Sequence, residues 1–176
     1  MDGYQELRLG FMKARLVTCM MALAAASVLV AQPKATALVK VYVGPDGLAH
    51  VVDGQGKDVA IPKEKTQVAV SAPKLAPDKQ SAGWLILQEN CCTSYPIPTS
   101  VAIYAVKKTR LFGDGLMVYD WCFVGEGSQV ALSTGTVHGM TSRHLSLYDS
   151  HSGMLLEVWN EETGEILPTW AKDLSQ

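Results

Sequence analysis

FVGEGSQVALST, residues 123–134, set beside LAPDKQSAGWLI, residues 75–86, decides how the rest of the chain reads. Each stretch has an apolar lead, a tight turn carrying an acidic residue, one or two polar residues and then an apolar strand, and the two lie 48 residues apart. A second pair, VAIYAVKKTRLF from Val101 and LSLYDSHSGMLL from Leu145, repeats at an offset of 44 and aligns Tyr104 with Tyr148. The four-residue difference falls in NCCTSYPIPTS, 90–100, where a loop absorbs it most easily.

The rest of the chain is punctuated in the same way. VKVYV (39–43) and LAHVVD (48–53) flank a Gly-Pro-Asp-Gly turn and predict a hairpin. DVAI (58–61), TQVAVS (66–71), WLILQE (84–89), VAIYAV (101–106), YDWCFV (119–124), QVALST (129–134), HLSLYD (144–149) and MLLEVW (154–159) follow, each bounded by Gly, Pro, Asp or Ser. APKLAPDK (72–79) reads as a proline-spaced turn, and no segment sustains a helical apolar period. The tail from Pro168 has room for one short helical turn. The expected class is all-β: antiparallel meanders of blade-like four-stranded repeats, near 66–112 and 118–159, forming a partial propeller or small sandwich. Two repeats and a hairpin fall short of the four to eight blades of a closed ring. Exposed edge strands then make oligomerisation by edge pairing an expectation.

YDWCFVGEGSQVALSTG and HLSLYDSHSGMLLEVW resemble a blade of the WD-repeat-like propellers of secreted bacterial proteins. In those, a turn with Asp and Gly precedes an apolar strand, and an L-x-x-D-x-x-T-G-x-x-L hairpin follows. The matching positions here are Leu147, Tyr148, Asp149, Ser152, Gly153, Leu155 and Leu156. The order W-L, NCCTSYPIP, DW-F, TVHG is also similar to a family of secreted bacterial proteins, a resemblance that brings no activity with it.

Secretion is expected from the residues as well. Lys13 and Arg15 form a basic n-region, Leu16 to Ala31 is an uncharged and largely apolar run, and Ala35-Thr36-Ala37 offers small residues for cleavage. Residues 1–37 read as a signal peptide, with Met12 as an alternative start, and 38–176 as a single β domain in the periplasm or medium. The apolar run is shorter than the roughly 20 residues of a membrane span, so no span is expected after cleavage. Removing the leader leaves eleven basic and fifteen acidic residues, a net charge of −4, which gives no footprint for nucleic acid.

The expected domain then holds Cys91, Cys92 and Cys122. Neighbouring Cα atoms sit about 3.8 Å apart, below the usual disulfide span of about 4.4–6.8 Å, so a Cys91–Cys92 bond carries strain. Pairing either with Cys122 avoids it and staples the loop to the next repeat. The adjacent cysteines lack the spacing of a zinc knuckle, and a redox C-x-x-C is missing. Gly-Glu-Gly at 125–127 lacks the third glycine of a dinucleotide loop, so no cofactor is expected.

Two functional readings remain. In the first, the chain is a non-catalytic binding domain for a protein or cell-envelope component. Loops 90–100 and 135–143 occupy equivalent places in the two repeats, and Tyr95, Ile97, His138 and Arg143 form their shared surface. In the second, His138, His144, Asp149 and His151 hold a metal or serve as base and orienting carboxylate of a small hydrolase. Trp84 and Trp121 are expected in the core, and Trp170, like Tyr95, at a contact surface. His50 is expected on the wet face of its strand.

Overall fold

Short apolar strands separated by Gly, Pro and Asp turns pair first with their chain neighbours, and here they do so as three consecutive antiparallel meanders. The structure is a computed structural model describing residues 36–138 and 142–174, within the unit Lys34–Gln176. The proposed leader lies almost wholly outside the described residues.

The first sheet holds β1 (Leu38–Val43), β2 (Ala49–Asp53) and β3 (Asp58–Ala60). The second holds β4 (Gln67–Leu75), β5 (Ser81–Gln88), β6 (Ile97–Ala105) and β7 (Lys108–Phe112). The third holds β8 (Met117–Val124), β9 (Gln129–Gly135), β10 (His144–Asp149) and β11 (Leu155–Asn160). None of the three closes into a barrel, and the all-β expectation of repeated four-stranded meanders holds. The tail contributes a single 3-10 turn at Thr169–Ala171.

The sheets stack because alternate residues of each strand point to opposite faces. Leu38, Ala49, Val51 and Ile61 of the first sheet region meet Val70, Ala82, Trp84, Ile86 and Ala102 of the second. On the other face of that second sheet, Leu85, Val101, Ile103 and Phe112 meet Val118, Trp121, Val130 and Leu132 of the third. Being covered on both faces is why β5 reads as an unbroken apolar run, buried from Ser81 to Ile86. Leu145, Leu147 and Trp159 on the third sheet's far face pack under Ala171 and Leu174 of the tail. Trp84 and Trp121 are core residues as expected. Trp170 is half-buried against the third sheet.

Two local features depart from the sequence reading. β4 does not end before Ala72: it runs through Pro73 to Leu75, with a bulge at Ala72, where φ is 47°. A bulge re-aims the side chains beyond it, and Lys74 reaches across to the third sheet. Its Nζ donates to Trp121 O, lies 4.9 Å from the Trp121 ring centre and 3.5 Å from Asp120 Oδ1. β7 follows β6 through a two-residue turn at Val106 and Lys107, with φ of 50° and 61°. Such turns are ordinarily signalled by Asn-Gly, and neither residue is present here.

Candidate functional site at the loop end of the sheets

β4 and β8 run toward turns that touch one another. Asp78 N–H donates to Glu126 O at 3.1 Å. Gly127, at φ +108°, sits where a β-carbon would come 2.8 Å from Ala76 Cβ. The β10–β11 turn joins them, with Ser150 N–H donating to Ser128 O at 3.0 Å and Ser150 Oγ to Gly127 O at 2.8 Å. One end of the second and third sheets is thereby closed by short, stitched turns. Strand alternation sends the β5–β6 connection (89–96), the β7–β8 connection (113–116) and the β9–β10 connection (136–143) to the opposite end. Residues 139–141 lie outside the described residues.

The first loop is held by its own polar side chains. Asn90 Oδ1 accepts from Cys92 N–H at 2.8 Å, and Asn90 Nδ2 donates to Thr93 Oγ1 at 2.5 Å. Thr93 Oγ1 in turn donates to Tyr95 O at 2.5 Å. Tyr95 stands out from this frame, 62 % exposed. Beside the loop lies a cleft of about 280 Å³ lined by Gln88, Thr99, Ser100, Leu111, Phe112 and Gly113. The buried hydroxyl of Thr99 has no hydrogen-bond partner.

A second polar frame ties the other two connections together. Asp114 accepts from Leu116 N–H and from Thr134 Oγ1, each at 3.0 Å. Its carboxylate also stands 3.6 Å from His144 Nε2, while His144 Nδ1 bonds Asn160 Oδ1. Asn160 thus holds one ring nitrogen and Asp114 stands beyond hydrogen-bond reach of the other, so the histidine lies within a polar frame across β9, β10 and β11. Next to it, Arg143 N–H donates to Glu161 Oε2 and Glu161 N–H to Arg143 O, both at 3.0 Å. The Tyr119 hydroxyl donates to Thr136 O.

The expected binding residues meet with mixed outcomes. Tyr95 and His138 are exposed and Arg143 half-buried, all at the loop end. Ile97 is not a surface residue: it opens β6, pairs with Gln88 and is only 5 % exposed. The metal or hydrolase grouping is divided by the length of β10. His144 begins that strand at the loop end, whereas Asp149 and His151 lie at the turn end, about 16 Å away at the rise of a strand. Asp149 Oδ1 accepts from His151 N–H at 3.1 Å, Ser152 N–H at 2.7 Å and Ser152 Oγ at 2.8 Å. The Ser152 amide, first among these, holds the Asp149 carboxyl below its ordinary range. Among the described residues, no three His, Cys, Asp or Glu side chains are grouped to hold a metal ion.

Cys122 does not pair with the loop. It follows Trp121 on β8, so its side chain takes the opposite face, among the residues packed with Leu145 and Trp159 under the tail. Burial pushes its thiol up to about 11. Cys91 and Cys92 lie on the second sheet's loop, both exposed, and all three cysteines are free thiols.

Sequence reasoning missed one cluster, on the outer face of the first sheet. His50 is clamped between two carboxylates, its Nδ1 3.0 Å from Asp58 Oδ1 and its Nε2 3.1 Å from Asp46 Oδ2. Tyr42 stacks on the His50 ring at 5.0 Å and donates its hydroxyl to Asp58, while Lys40 Nζ lies 4.3 Å over the Tyr42 ring. Gly44 makes room, since a β-carbon there would come 2.6 Å from the His50 ring. Hydrogen bonds to Asp46 and then Asp58 raise the His50 pKa. The Leu48 amide lowers that of Asp46, and the Tyr42 hydroxyl lowers that of Asp58. The carboxylates approach opposite sides of the ring, so they cannot share one metal with it. The cluster gives the first sheet a polar outer face.

Among the described residues no helix is long and apolar enough to cross a membrane. No protein-family model and no curated protein matches the chain.

Proposed function

We propose that this chain is a secreted, non-catalytic β domain that binds a protein or cell-envelope component through the loop end of its second and third sheets. The observation that carries this reading is the asymmetry of the two ends. The turn end is closed by short turns bonded to one another, whereas the loop end gathers both long loops, the cleft with its unpartnered Thr99 hydroxyl and the exposed Tyr95. Binding residues concentrate on loops positioned by a rigid scaffold. The separation of His144 from Asp149 and His151 favours binding over the metal-dependent hydrolase.

Export to the periplasm or medium belongs to the same reading, on the basic n-region, apolar run and small residues of 12–37. The resemblance to blades of secreted propellers points the same way.

The test is chemical cross-linking in intact envelope preparations, comparing the parent chain with a Tyr95→Ala, Arg143→Ala double variant. The expected result is one dominant cross-linked partner that is lost in the variant at unchanged melting temperature. A partner retained at full yield in the variant removes the loop end as the binding surface.

A further inference from the structure

The two sulfurs of Cys91 and Cys92 lie 2.9 Å apart on an exposed loop. Two thiolates on one tetrahedral zinc, with Zn–S near 2.3 Å, stand about 3.8 Å apart. A disulfide is about 2.05 Å long, and the observed pair stands between the two distances, sulfur against sulfur. Cys122, the other cysteine of the β domain, points to the far face of the third sheet. The loop is also braced by its own side chains, Asn90 Oδ1 accepting from the Cys92 N–H and Thr93 Oγ1 donating to Tyr95 O.

We propose that Cys91 and Cys92 form a thiol–disulfide exchange site whose substrates are disulfides, carried by small molecules or by other proteins. Cys91 gives up its proton to water and its thiolate attacks one sulfur of the incoming disulfide, whose S–S bond breaks, and the departing thiolate takes a proton from water. A mixed disulfide then links Cys91 to the other half of the substrate. Cys92, whose interaction with Cys91 makes its proton harder to remove, loses it to water in the second step and attacks the Cys91 sulfur. The second substrate thiolate leaves and is protonated. Two electrons pass from the cysteine pair to the substrate, and an eight-membered ring closes across the Cys91–Cys92 peptide. Adjacent Cα atoms are held at about 3.8 Å, short of the usual disulfide span of about 4.4–6.8 Å. The oxidised ring is therefore strained and reopens readily with thiols, as strained and exposed disulfides do. The loop thus suits exchange better than permanent stapling. This inference does not rest on the binding reading and stands or falls on the free chain.

Glutathione disulfide is the probe. The purified chain is incubated with it, quenched in acid, alkylated and cut with trypsin. Cleavage after Lys79 and Lys107 isolates Cys91 and Cys92 on one peptide, away from Cys122 on 111–143 and Cys19 on 16–34. The expected result is an 80–107 peptide that takes up no alkyl group and weighs two hydrogens less than the dithiol peptide, and that is doubly alkylated again after excess reduced glutathione. The Cys92→Ser variant is expected to stop at one glutathione on Cys91. A loop peptide that stays doubly alkylated in fully oxidised glutathione overturns the proposal. So does a bond from either cysteine to Cys122, or a Cys92→Ser variant that takes up no glutathione.

Discussion

Gly83 on β5 lies under the ring of Trp121 on β8, so close that a β-carbon at Gly83 would stand 2.7 Å from Trp121 Cη2 and 2.5 Å from Ile103 Cδ1. Trp121 is fully buried, and Lys74 from the second sheet closes over it. The absence of a side chain on one sheet thus admits the largest side chain of the next. Gly83→Ala overpacks this contact and is expected to destabilise the fold by about 1–3 kcal/mol. Trp121→Phe alone leaves a void, yet in the double variant it makes room for the new methyl group. The two losses should therefore sum to more than the double variant shows, read from urea midpoints of all four proteins. Strict additivity would mean that the sheets do not meet at this pair.

Stability should follow pH through the cluster on the first sheet. The His50 pKa is raised above its ordinary 6.5, so its contribution is complete below that value and is lost as pH rises through the folded value. Asp46 and Asp58 are lowered from 3.8, so theirs is complete above that value and is lost as pH falls through their folded values. The cluster supports the fold best between about 4 and 6.5. The melting temperature should decline from pH 6 to pH 8.5, and His50→Gln should flatten that decline. An unchanged slope in the variant would place the pH dependence elsewhere.

Much of this architecture is legible in the chain, for reasons that particular residues show. Trp84 to Leu87 form an unbroken apolar run because the second sheet is covered on both faces. The offset of 48 aligns turns 76–80 and 125–128, which the structure joins by the bond from Asp78 to Glu126. β7 is hidden because its turn uses Val106 and Lys107 in left-handed conformations without an Asn-Gly signal. Ile97 is misread because Pro96 and Pro98 suggest a loop, although β6 begins between them and carries on through Pro98. The His50 clamp depends on strand register: Asp58 reaches His50 only because β3 pairs with β2 at Val52↔Asp58 and His50↔Ala60. Nothing in the spacing of Asp46, His50 and Asp58 announces that.

The export reading has a direct check. Expressed in a bacterial host with its own secretion machinery, the chain is expected to appear in the periplasm or medium with a new N-terminus at or near Leu38. Leu38 is also the first residue of β1, with its N–H donating to Lys79 O at 2.7 Å. Cleavage just before it leaves every strand of the described residues intact. N-terminal sequencing that finds residues 12–37 retained on a membrane-bound product would remove the signal-peptide assignment.

The last prediction concerns the outer edge of the third sheet. β11 is an edge strand, and one side of its backbone has no neighbouring strand among the described residues. An unpaired edge invites another strand unless charge, proline or a bulge blunts it. The outer edge of the second sheet is blunted, since β7 carries Lys108 and Arg110. β11 reads LLEVWN, with Glu157 as its one charge and a bulge only near its start, at Leu156, so that Glu157–Asn160 stays regular. Leu155 is 49 % exposed, Leu156 40 % and Val158 41 %, and Met154 just before them 61 %. Such a strand should associate at high concentration by antiparallel pairing with a second copy of itself. Leu156→Lys with Val158→Lys adds like charges to both partners and should raise the concentration needed for association by tenfold or more. The fold should change little, because both side chains already face solvent. Analytical ultracentrifugation over a concentration series decides it. A parent chain that stays monomeric throughout, or a variant that associates as readily as the parent, would show that this edge does not pair.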